Sequence, residues 1–254
     1  MEKRKTGTRE WATETANCFL GCEHDCRYCY ARAMALRTGR LRARDNWSKP
    51  VPNHAALSKR WGKHGGVIMF PSTHDITPAN VMDCGGFLAE ILKPGNRVLI
   101  VSKPHAGVVD YLCKLLARWG EQVEFRFTIG ARDDALLRYW EPSAPGFDER
   151  MNAAEMADGH GYNVSFSVEP MLDSADILGL VAEMTPFAET IWIGKMNQVR
   201  RRVQIYDDED RRQVERIEQG QTDERIMEVV AALESDPLIR WKDSIQEVIE
   251  RTKR

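Results

Sequence analysis

The sequence lacks long apolar runs and holds few cysteines. Hydrophobic residues make up 43% of the 254 positions, but no stretch approaches the roughly 20 apolar residues of a membrane span. No apolar stretch follows the charged start of the chain, residues 1–5, so we expect no signal peptide. Without a secretory signal, six cysteines in a chain of this size do not indicate a disulfide framework. We therefore expect a reducing, cytoplasmic location and no membrane partner.

The net charge of −2 conceals a basic N-terminal quarter. Residues 1–65 hold 14 Lys and Arg against 6 Asp and Glu. Such an excess either faces an anion, such as a nucleic acid, a nucleotide or a phosphorylated metabolite, or simply forms a solvated surface. Four of the arginines precede an aromatic, a combination found on nucleic-acid surfaces: Arg37, Arg40, Arg42, Arg44 and Trp47. A second basic spot follows at residues 200–202.

Three cysteines lie within eight residues, with the spacing C-x3-C-x2-C: Cys22, Cys26 and Cys29. Thiolates are the usual ligands of iron–sulfur clusters, and three of them can hold three irons of a [4Fe–4S] cube and leave the fourth iron open. An open iron can bind and reduce a small molecule. The alternative is a zinc site with His24 or Cys18 as the fourth ligand, although zinc knuckles usually have two separated C-x2-C pairs. Two further cysteines, Cys84 and Cys113, are expected to be buried thiols.

Short apolar runs alternate with helical patterns along most of the chain. Strands are predicted at residues 15–19, 67–70, 97–101, 122–129, 163–168 and 190–193. Helices are predicted at residues 30–38, 80–92, 106–119, 152–158 and 175–184. Apolar strands alternating with helices are typical of parallel α/β folds, and six units favour an open partial (β/α)6 barrel over a closed eightfold one. The pattern predicts this barrel over residues 10–197. A charged helical extension is expected over residues 198–254, with helices at 222–233 and 241–251.

Polar residues recur in or just after the predicted strands. Because barrels of this class place their sites at the carboxyl ends of the strands, these residues are the candidates for a site: Cys18, Ser72, Thr73, Asp75, Lys103, Arg126, Ser167 and Glu169. Alternation along the fourth strand puts Glu124, Arg126 and Thr128 on one face. Each of these groups could instead be hydrogen-bonded to a neighbour.

The cysteine motif resembles that of the radical S-adenosylmethionine (radical SAM) superfamily. The surrounding residues are similar to the opening of the spore photoproduct lyase-like group and of a related phage and bacterial family without an assigned role. They are Glu10-Trp11-Ala12, Asn17, Gly21-Cys22 and Tyr28-Cys29-Tyr30-Ala31-Arg32. Later matches are Ser102-Lys103-Pro104 and the stretch 167–172. The resemblance spans residues 10–197 and is specific at the cysteines and loose elsewhere.

The resemblance implies two cofactors, a [4Fe–4S] cluster and SAM. It implies that the open iron chelates the amino and carboxylate groups of SAM, and that the reduced cluster cleaves SAM to a 5′-deoxyadenosyl radical. An electron donor such as flavodoxin or ferredoxin would be a partner. The expected function is modification or repair of a nucleobase or nucleotide-derived substrate by a radical SAM enzyme of lyase or transferase type. The alternatives are a small metabolite or peptide substrate, or a non-catalytic iron–sulfur or zinc protein.

Roles for single residues are expected as follows. The resemblance implies that Tyr28 places its backbone near the adenine of SAM. Ser72, Thr73 and Asp75 are expected near the methionyl ammonium. The carboxylate of SAM needs a cation, which Lys103 or Arg126 could supply. Ser167 and Glu169 are candidates for the ribose hydroxyls or the substrate. Cys18, Lys103 and Glu169 are the candidate catalytic residues, with Cys18 as a hydrogen-atom donor to a substrate radical.

Two departures keep the reaction type open. The chain is shorter than typical spore photoproduct lyases and shows no obvious N-terminal domain. The sixth strand reads Trp192-Ile193-Gly194-Lys195, where the phage family tends to have a glycine pair followed by glutamate.

Overall fold

A computed structural model describes residues 5–253, apart from the side chain of residue 45. Residues 1–4, where the sequence predicts no signal peptide, lie outside the described part. The strands within it are β1 Glu14–Thr15, β2 Phe19–Leu20, β3 Val51–Pro52, β4 Val67–Phe70, β5 Arg97–Ser102, β6 Val123–Thr128, β7 Asn163–Val168, β8 Ile191–Ile193 and β9 Ile239–Trp241.

Seven of these strands form one parallel sheet across the described residues, in the order β1-β4-β5-β6-β7-β8-β9. The sheet curls into a half-barrel with helices around it. The predicted α/β partial barrel is confirmed. The inner strand β5 is apolar on both faces over Val98, Leu99 and Ile100, which are all buried.

The first predicted strand, at residues 15–19, is divided in the structure. Only β1 pairs in parallel with β4, through Glu14 and Thr15. β2 instead pairs antiparallel with β3 in a separate two-stranded sheet. The apolar pattern could not distinguish β1 from β2, because both are short extended segments. Their pairing partners lie far away in sequence.

The helices that cover the sheet and its ends are α1 Tyr30–Arg37, α2 His54–Leu57, α3 Val81–Leu92, α4 Ala106–Leu116, α5 Asp134–Trp140, α6 Phe147–Gly159, α7 Ile177–Met184, α8 Val199–Arg202, α9 Asp208–Gln219, α10 Asp223–Leu233 and α11 Asp243–Thr252. In α3 the apolar positions recur at helical spacing, so that Phe87, Leu88 and Ile91 face the core. The sequence prediction missed α5, which begins where the Asp133 carboxylate accepts hydrogen bonds from two backbone N–H groups.

The C-terminal region contributes to the sheet as well as adding helices. β9 pairs in parallel with β8, with Ile239 opposite Ile191. The six strands of the predicted barrel are therefore joined by a seventh, and the helix predicted at residues 241–251 begins at Asp243. Three residues are too short a strand to give a clear sequence signal. The division into domains at residue 197 remains a proposal.

The main core fills the space between the sheet and the helices. Phe125, Phe127 and Phe166 are fully buried there, as are Cys84 and Cys113, which confirms that these two thiols are core residues. Within the described residues, no helix has the length and apolar character needed to cross a bilayer.

Candidate active site

A cavity of about 670 Å³ lies at the carboxyl ends of the parallel strands. This volume is within the roughly 300–1,000 Å³ of typical small-molecule sites. The loop with the three close cysteines lines the cavity, as do the segments after β4, β5, β7 and β8, part of the N-terminal segment 6–17, and Lys242. Ten of the twelve residues predicted for the site line it: Cys22, Cys26, Cys29, Tyr28, Ser72, Thr73, Asp75, Lys103, Ser167 and Glu169.

The cysteine loop, residues 21–29, is fixed by backbone hydrogen bonds to two other parts of the chain. Cys22 N–H donates to the Trp47 carbonyl at 2.8 Å, and Arg27 N–H donates to the Trp140 carbonyl at 2.8 Å. Gly21 has φ +102°, and a Cβ there would lie 2.7 Å from the Trp47 carbonyl oxygen. Glycine is therefore required at the start of the loop.

The three thiols suit a cluster better than a single metal ion. Within the described residues, no three Cys, His, Asp or Glu side chains converge as ligands of one ion would. A [4Fe–4S] cube does not need such convergence, because each thiolate binds a different iron. Burial raises the pKa of Cys26 to about 12, and burial also raises the pKa of Cys22. These two thiols would therefore ionise at neutral pH only with added positive charge beside them, which a metal centre would supply.

The fourth ligands considered for zinc are engaged elsewhere. His24 Nδ1 lies 3.1 Å from Asp75 Oδ2, and its Nε2 lies 3.0 Å from His105 Nε2. Cys18 is fully buried, with its Sγ 3.8 Å from Cys84 Sγ and 3.9 Å from His74 Nε2. The geometry gives no support to the zinc alternative.

Cys18 is not among the residues that line the cavity. The hydrogen bond from Cys84 lowers the pKa of Cys18 to about 6; burial opposes this shift, and His74 adds to it. The thiol is thus packed behind the end of β1. The structure places it away from the space where a substrate would react with it.

Tyr28 connects the cysteine loop to a buried ion pair. Its hydroxyl donates a hydrogen bond to Glu141, and Glu141 Oε2 lies 2.6 Å from Arg150 Nη2, with both side chains fully buried. Arg150 also donates to the Pro145 carbonyl at 2.8 Å and to the Thr128 carbonyl at 3.1 Å. The pair therefore links the loop to α5, to α6 and to the end of β6.

Asp75 holds several segments together at the cavity wall. One oxygen accepts from the Ser102 hydroxyl and from Ile76 N–H, and the other accepts from Lys103 N–H at 3.0 Å and lies beside His24. Burial acts to raise its pKa, but His24, Lys103 and Ser102 outweigh burial and hold the pKa well below its usual range. Both carboxylate oxygens of Asp75 make their contacts within the protein. Asp75 thereby joins the cysteine loop, through His24, to the segment after β4 and to the end of β5.

Ser72 and Thr73 are positioned by the end of β1. The Asn17 side-chain oxygen accepts from the backbone N–H groups of both residues at 2.8 Å, and its amide donates to Ser72 Oγ at 2.8 Å. This clamp fixes the turn after β4 and aims it at the cavity.

The two cations predicted for the SAM carboxylate occupy different places. Lys103 lines the cavity, and its ammonium has no hydrogen bond or ion pair within the part of the chain that the structure describes. Burial would lower its pKa, but Cys26, Glu141 and Asp75 raise it, so the lysine stays charged. Arg126 does not line the cavity. It bonds to Glu124 at 2.8 Å and to Ser165 at 2.9 Å inside the barrel, as the shared-face alternation predicted.

Glu169 belongs to a cluster that sequence reasoning missed. Its Oε2 lies 3.3 Å from Lys242 Nζ, which also lies 2.8 Å from Glu10 Oε1 and 4.0 Å from the centre of the Trp11 ring. Burial raises the pKa of Glu169, although Lys242 partly opposes the shift. No local pattern could have found Lys242, because it lies between β9 and α11 and reaches the site only through the fold.

Ser167 stands next to this cluster on β7. Its hydroxyl is buried and has no hydrogen-bond partner among the described residues. Since buried hydroxyls are usually satisfied, it is free to bond a ligand in the cavity.

Comparisons with solved structures find a similar fold in spore photoproduct lyase and in SuiB. Spore photoproduct lyase complexed with dinucleoside spore photoproduct is 17% identical, with a TM-score of 0.52, over 98% of this chain and 76% of that one. A single-residue mutant of spore photoproduct lyase is 17% identical, with a TM-score of 0.56, over 94% of this chain and 78% of that one. SuiB of Streptococcus suis, bound to its precursor peptide SuiA, is 12% identical, with a TM-score of 0.50, over 73% and 40% of the two chains.

At these identities the likeness concerns the fold. It confirms the structural resemblance to spore photoproduct lyase that the sequence predicted. No protein-family model matches the chain, and no curated protein matches it.

Proposed function

We propose that this protein is a radical SAM enzyme in which Cys22, Cys26 and Cys29 hold a [4Fe–4S] cluster. The observation that carries the proposal is that all three thiols line one cavity at the carboxyl ends of a parallel half-barrel. When bound and reduced, the cluster supplies the electron that cleaves SAM to a 5′-deoxyadenosyl radical. The remaining residues bind, orient and enclose the reactants.

Lys103 is the residue that we assign to the SAM carboxylate. Its ammonium lies in the cavity on the side of Cys26 and has no anion of its own within the described residues. A carboxylate placed there would gain a charge-assisted hydrogen bond. Ser72 and Thr73, held by Asn17, are assigned to the polar end of SAM, and Ser167 and Glu169 to the ribose or the substrate.

We further propose that the substrate is a nucleobase in a nucleotide or nucleic acid. Three side chains of the arginine-rich segment 37–44 are exposed: Arg37, Arg40 and Arg42. Arg44 donates a hydrogen bond to Gln204 at 2.8 Å, which brings this segment beside the 73%-exposed ring of Tyr206. Together they form a basic surface with an aromatic, here called the basic rim, and this combination suits nucleic acid.

The sequence predicted that Trp47 would lie on the surface with these arginines, but the structure buries it. Trp47 is only 1% exposed and packs with Ala31, Ala35 and Leu41. The alanines of α1 leave space that the indole fills, so Trp47 stabilises the loop and cannot stack on a base.

The first test is the cluster itself. Anaerobic reconstitution should give about four irons and four sulfides per chain, and reduction with dithionite should release 5′-deoxyadenosine from SAM. Ala at any one of the three loop cysteines should abolish both, whereas Cys113→Ala, a change at a buried core thiol, should retain both. Stoichiometric zinc without iron, or a cluster that never cleaves SAM, would refute the proposal.

The second test concerns the basic rim. If nucleic acid binds there, each phosphate contact should add roughly 0.7–0.9 to the log–log salt slope of the affinity. The triple variant Arg40→Gln, Arg42→Gln and Arg44→Gln should flatten that slope and keep the cluster. A matched triple change at the opposite, amino end of the strands should leave the slope unchanged: Lys93→Gln, Arg97→Gln and Arg118→Gln. Binding of DNA and RNA that does not depend on salt, or no binding at low salt, would favour a small metabolite.

A further inference from the structure

The cavity holds more positive than negative side chains. Seven charged residues line it, five of them cations: Arg9, Lys103, Lys195, Arg202 and Lys242, against Asp75 and Glu169. Both carboxylates are already engaged, Asp75 with His24 and backbone N–H groups, and Glu169 with Lys242. The excess of cations is therefore not balanced by the cavity wall.

Arg202 is the most informative of these cations. It is half-buried, and its guanidinium has no hydrogen bond or ion pair with any residue in the described part of the chain. Burial lowers its pKa, although Cys29, Glu169 and Tyr30 partly oppose the shift. Since burying a charge without a partner is costly, such a group in a cavity wall indicates a ligand.

The other two arginines of α8 make a useful contrast. Arg200 points outward and forms an exposed ion pair with Glu218 at 2.5 Å, and Arg201 is exposed. Gln198, at φ 56°, turns the chain just before this helix. Arg202, at the end of this helix, reaches the cavity, whose lining also includes Lys195 and Asn197.

The proposed cofactors leave the N–H groups of Arg202 without an oxygen acceptor. Three thiolates against the two positive charges of an oxidised cube would leave one negative charge at the cluster. The amino group of SAM would be neutral when it chelates iron, so SAM would add no net charge. The carboxylate of SAM is assigned to Lys103, whose electrostatic neighbours include Cys26. Arg202 instead lies near Cys29 and Tyr30, on another flank of the cysteine loop, where its guanidinium can take a separate oxyanion.

We propose that Arg202 binds a phosphate group of the substrate inside the cavity, whose lining also includes Lys195 and Asn197. This inference rests on the proposed function and adds the group by which the substrate is held. A guanidinium fork matches two phosphate oxygens at once, which suits Arg better than Lys as the main contact. The phosphate can belong to a mononucleotide or to a nucleic-acid chain, and the shared chemistry is the phosphate itself.

The test measures binding to the anaerobic holoenzyme with SAM present. The probes are the common 5′-nucleoside monophosphates, their nucleosides, short single-stranded oligonucleotides and inorganic phosphate, compared by calorimetry. For at least one base, the monophosphate or the oligonucleotide should bind on the order of ten- to hundredfold more tightly than the nucleoside, the range expected for hydrogen bonds to a charged group. Arg202→Gln should remove most of this preference, and Arg200→Gln should keep it.

The outcomes separate the inference from the function on which it rests. A preference for mononucleotides or for oligonucleotides that depends on Arg202 supports the subsite and identifies the source of the phosphate. Equal binding of phosphates and nucleosides, binding of neither, or a preference unchanged in Arg202→Gln overturns it. Failure of the holoenzyme to cleave SAM, measured in the same preparations as 5′-deoxyadenosine, refutes the proposed function independently.

Discussion

The buried pair of Glu141 and Arg150 makes a strong prediction about stability. Both side chains are fully buried, their charged atoms lie 2.6 Å apart, and Glu141 also accepts from Tyr28. Removing one partner of a buried ion pair typically costs about 3–5 kcal/mol, because the other charge is left without compensation. Glu141→Gln preserves the shape and can still accept from Tyr28, so it removes little more than the charge.

The expected loss is large enough to measure by thermal unfolding. For a chain of this size, each kcal/mol lowers the midpoint by roughly 2–4 °C, so Glu141→Gln should lower it by roughly 6–20 °C in the metal-free protein. Arg150→Met should do the same. The double variant should lose less than the sum of the two, because neither charge then remains buried alone. Arg200→Gln, at an exposed ion pair, is the control and should shift the midpoint little.

Circular dichroism under anaerobic, reducing conditions is a suitable assay. A midpoint of Glu141→Gln within about 2 °C of the unchanged protein, which corresponds to less than about 1 kcal/mol, would show that the pair contributes little. A double variant whose loss equals the sum of the single losses would show that the two residues act independently. Either result would refute the account of how the cysteine loop is anchored.

Three further predictions concern the same region. Burial acts to raise the pKa of Glu141, but Arg150 and other partners outweigh burial and leave the pKa below its ordinary value. The stability that this charge provides is complete above the unfolded pKa of about 4.3 and is lost as the pH falls through the lower folded value. The difference in midpoint between the unchanged protein and Glu141→Gln should therefore narrow below about pH 4, and a difference that stays constant would contradict this sign. Cys18→Ser should keep the iron content, SAM cleavage and product formation, because this thiol does not line the cavity; loss of the substrate-derived product with 5′-deoxyadenosine formation intact would restore its candidate role as a hydrogen-atom donor. Gly21→Ala should cost at least about 1 kcal/mol and lower the iron content, since a Cβ would meet a backbone oxygen at φ +102°; Gly62→Ala, in open space, is its control, and equal iron in both would contradict the argument.

Several elements could be predicted from the sequence because their determinants are local. The strands at residues 67–70 and 163–168 have the predicted bounds, the first marked by a continuous apolar run and the second by apolar residues at alternate positions. The cysteine motif lies within eight residues, so its spacing alone restricts the chemistry. Polar residues after successive strands indicated the cavity, because parallel strands bring their carboxyl ends to one edge of the sheet.

Side-chain direction within the site was not predictable in the same way. Lys103 and Arg126 carry the same charge on neighbouring strands, yet only Lys103 reaches the cavity. Arg126 lies two residues before the end of β6 and finds Glu124 and Ser165 inside the barrel. Which cation meets a ligand depends on its depth in the barrel, and that depth is set by the register of strands that are distant in sequence.

The sequence by itself determined the α/β class, the three thiols and the polar ends of the strands, because apolar periodicity and short motifs act over a few residues. Only the tertiary structure decided how the ends of the chain complete the site. Lys242 donates to the Gly7 carbonyl, 235 residues away, and lies beside Glu169. β9 joins the sheet, and α8 brings Arg202 to the cavity. These contacts join segments that carry no shared pattern, so packing around the half-barrel, rather than local propensity, places them together.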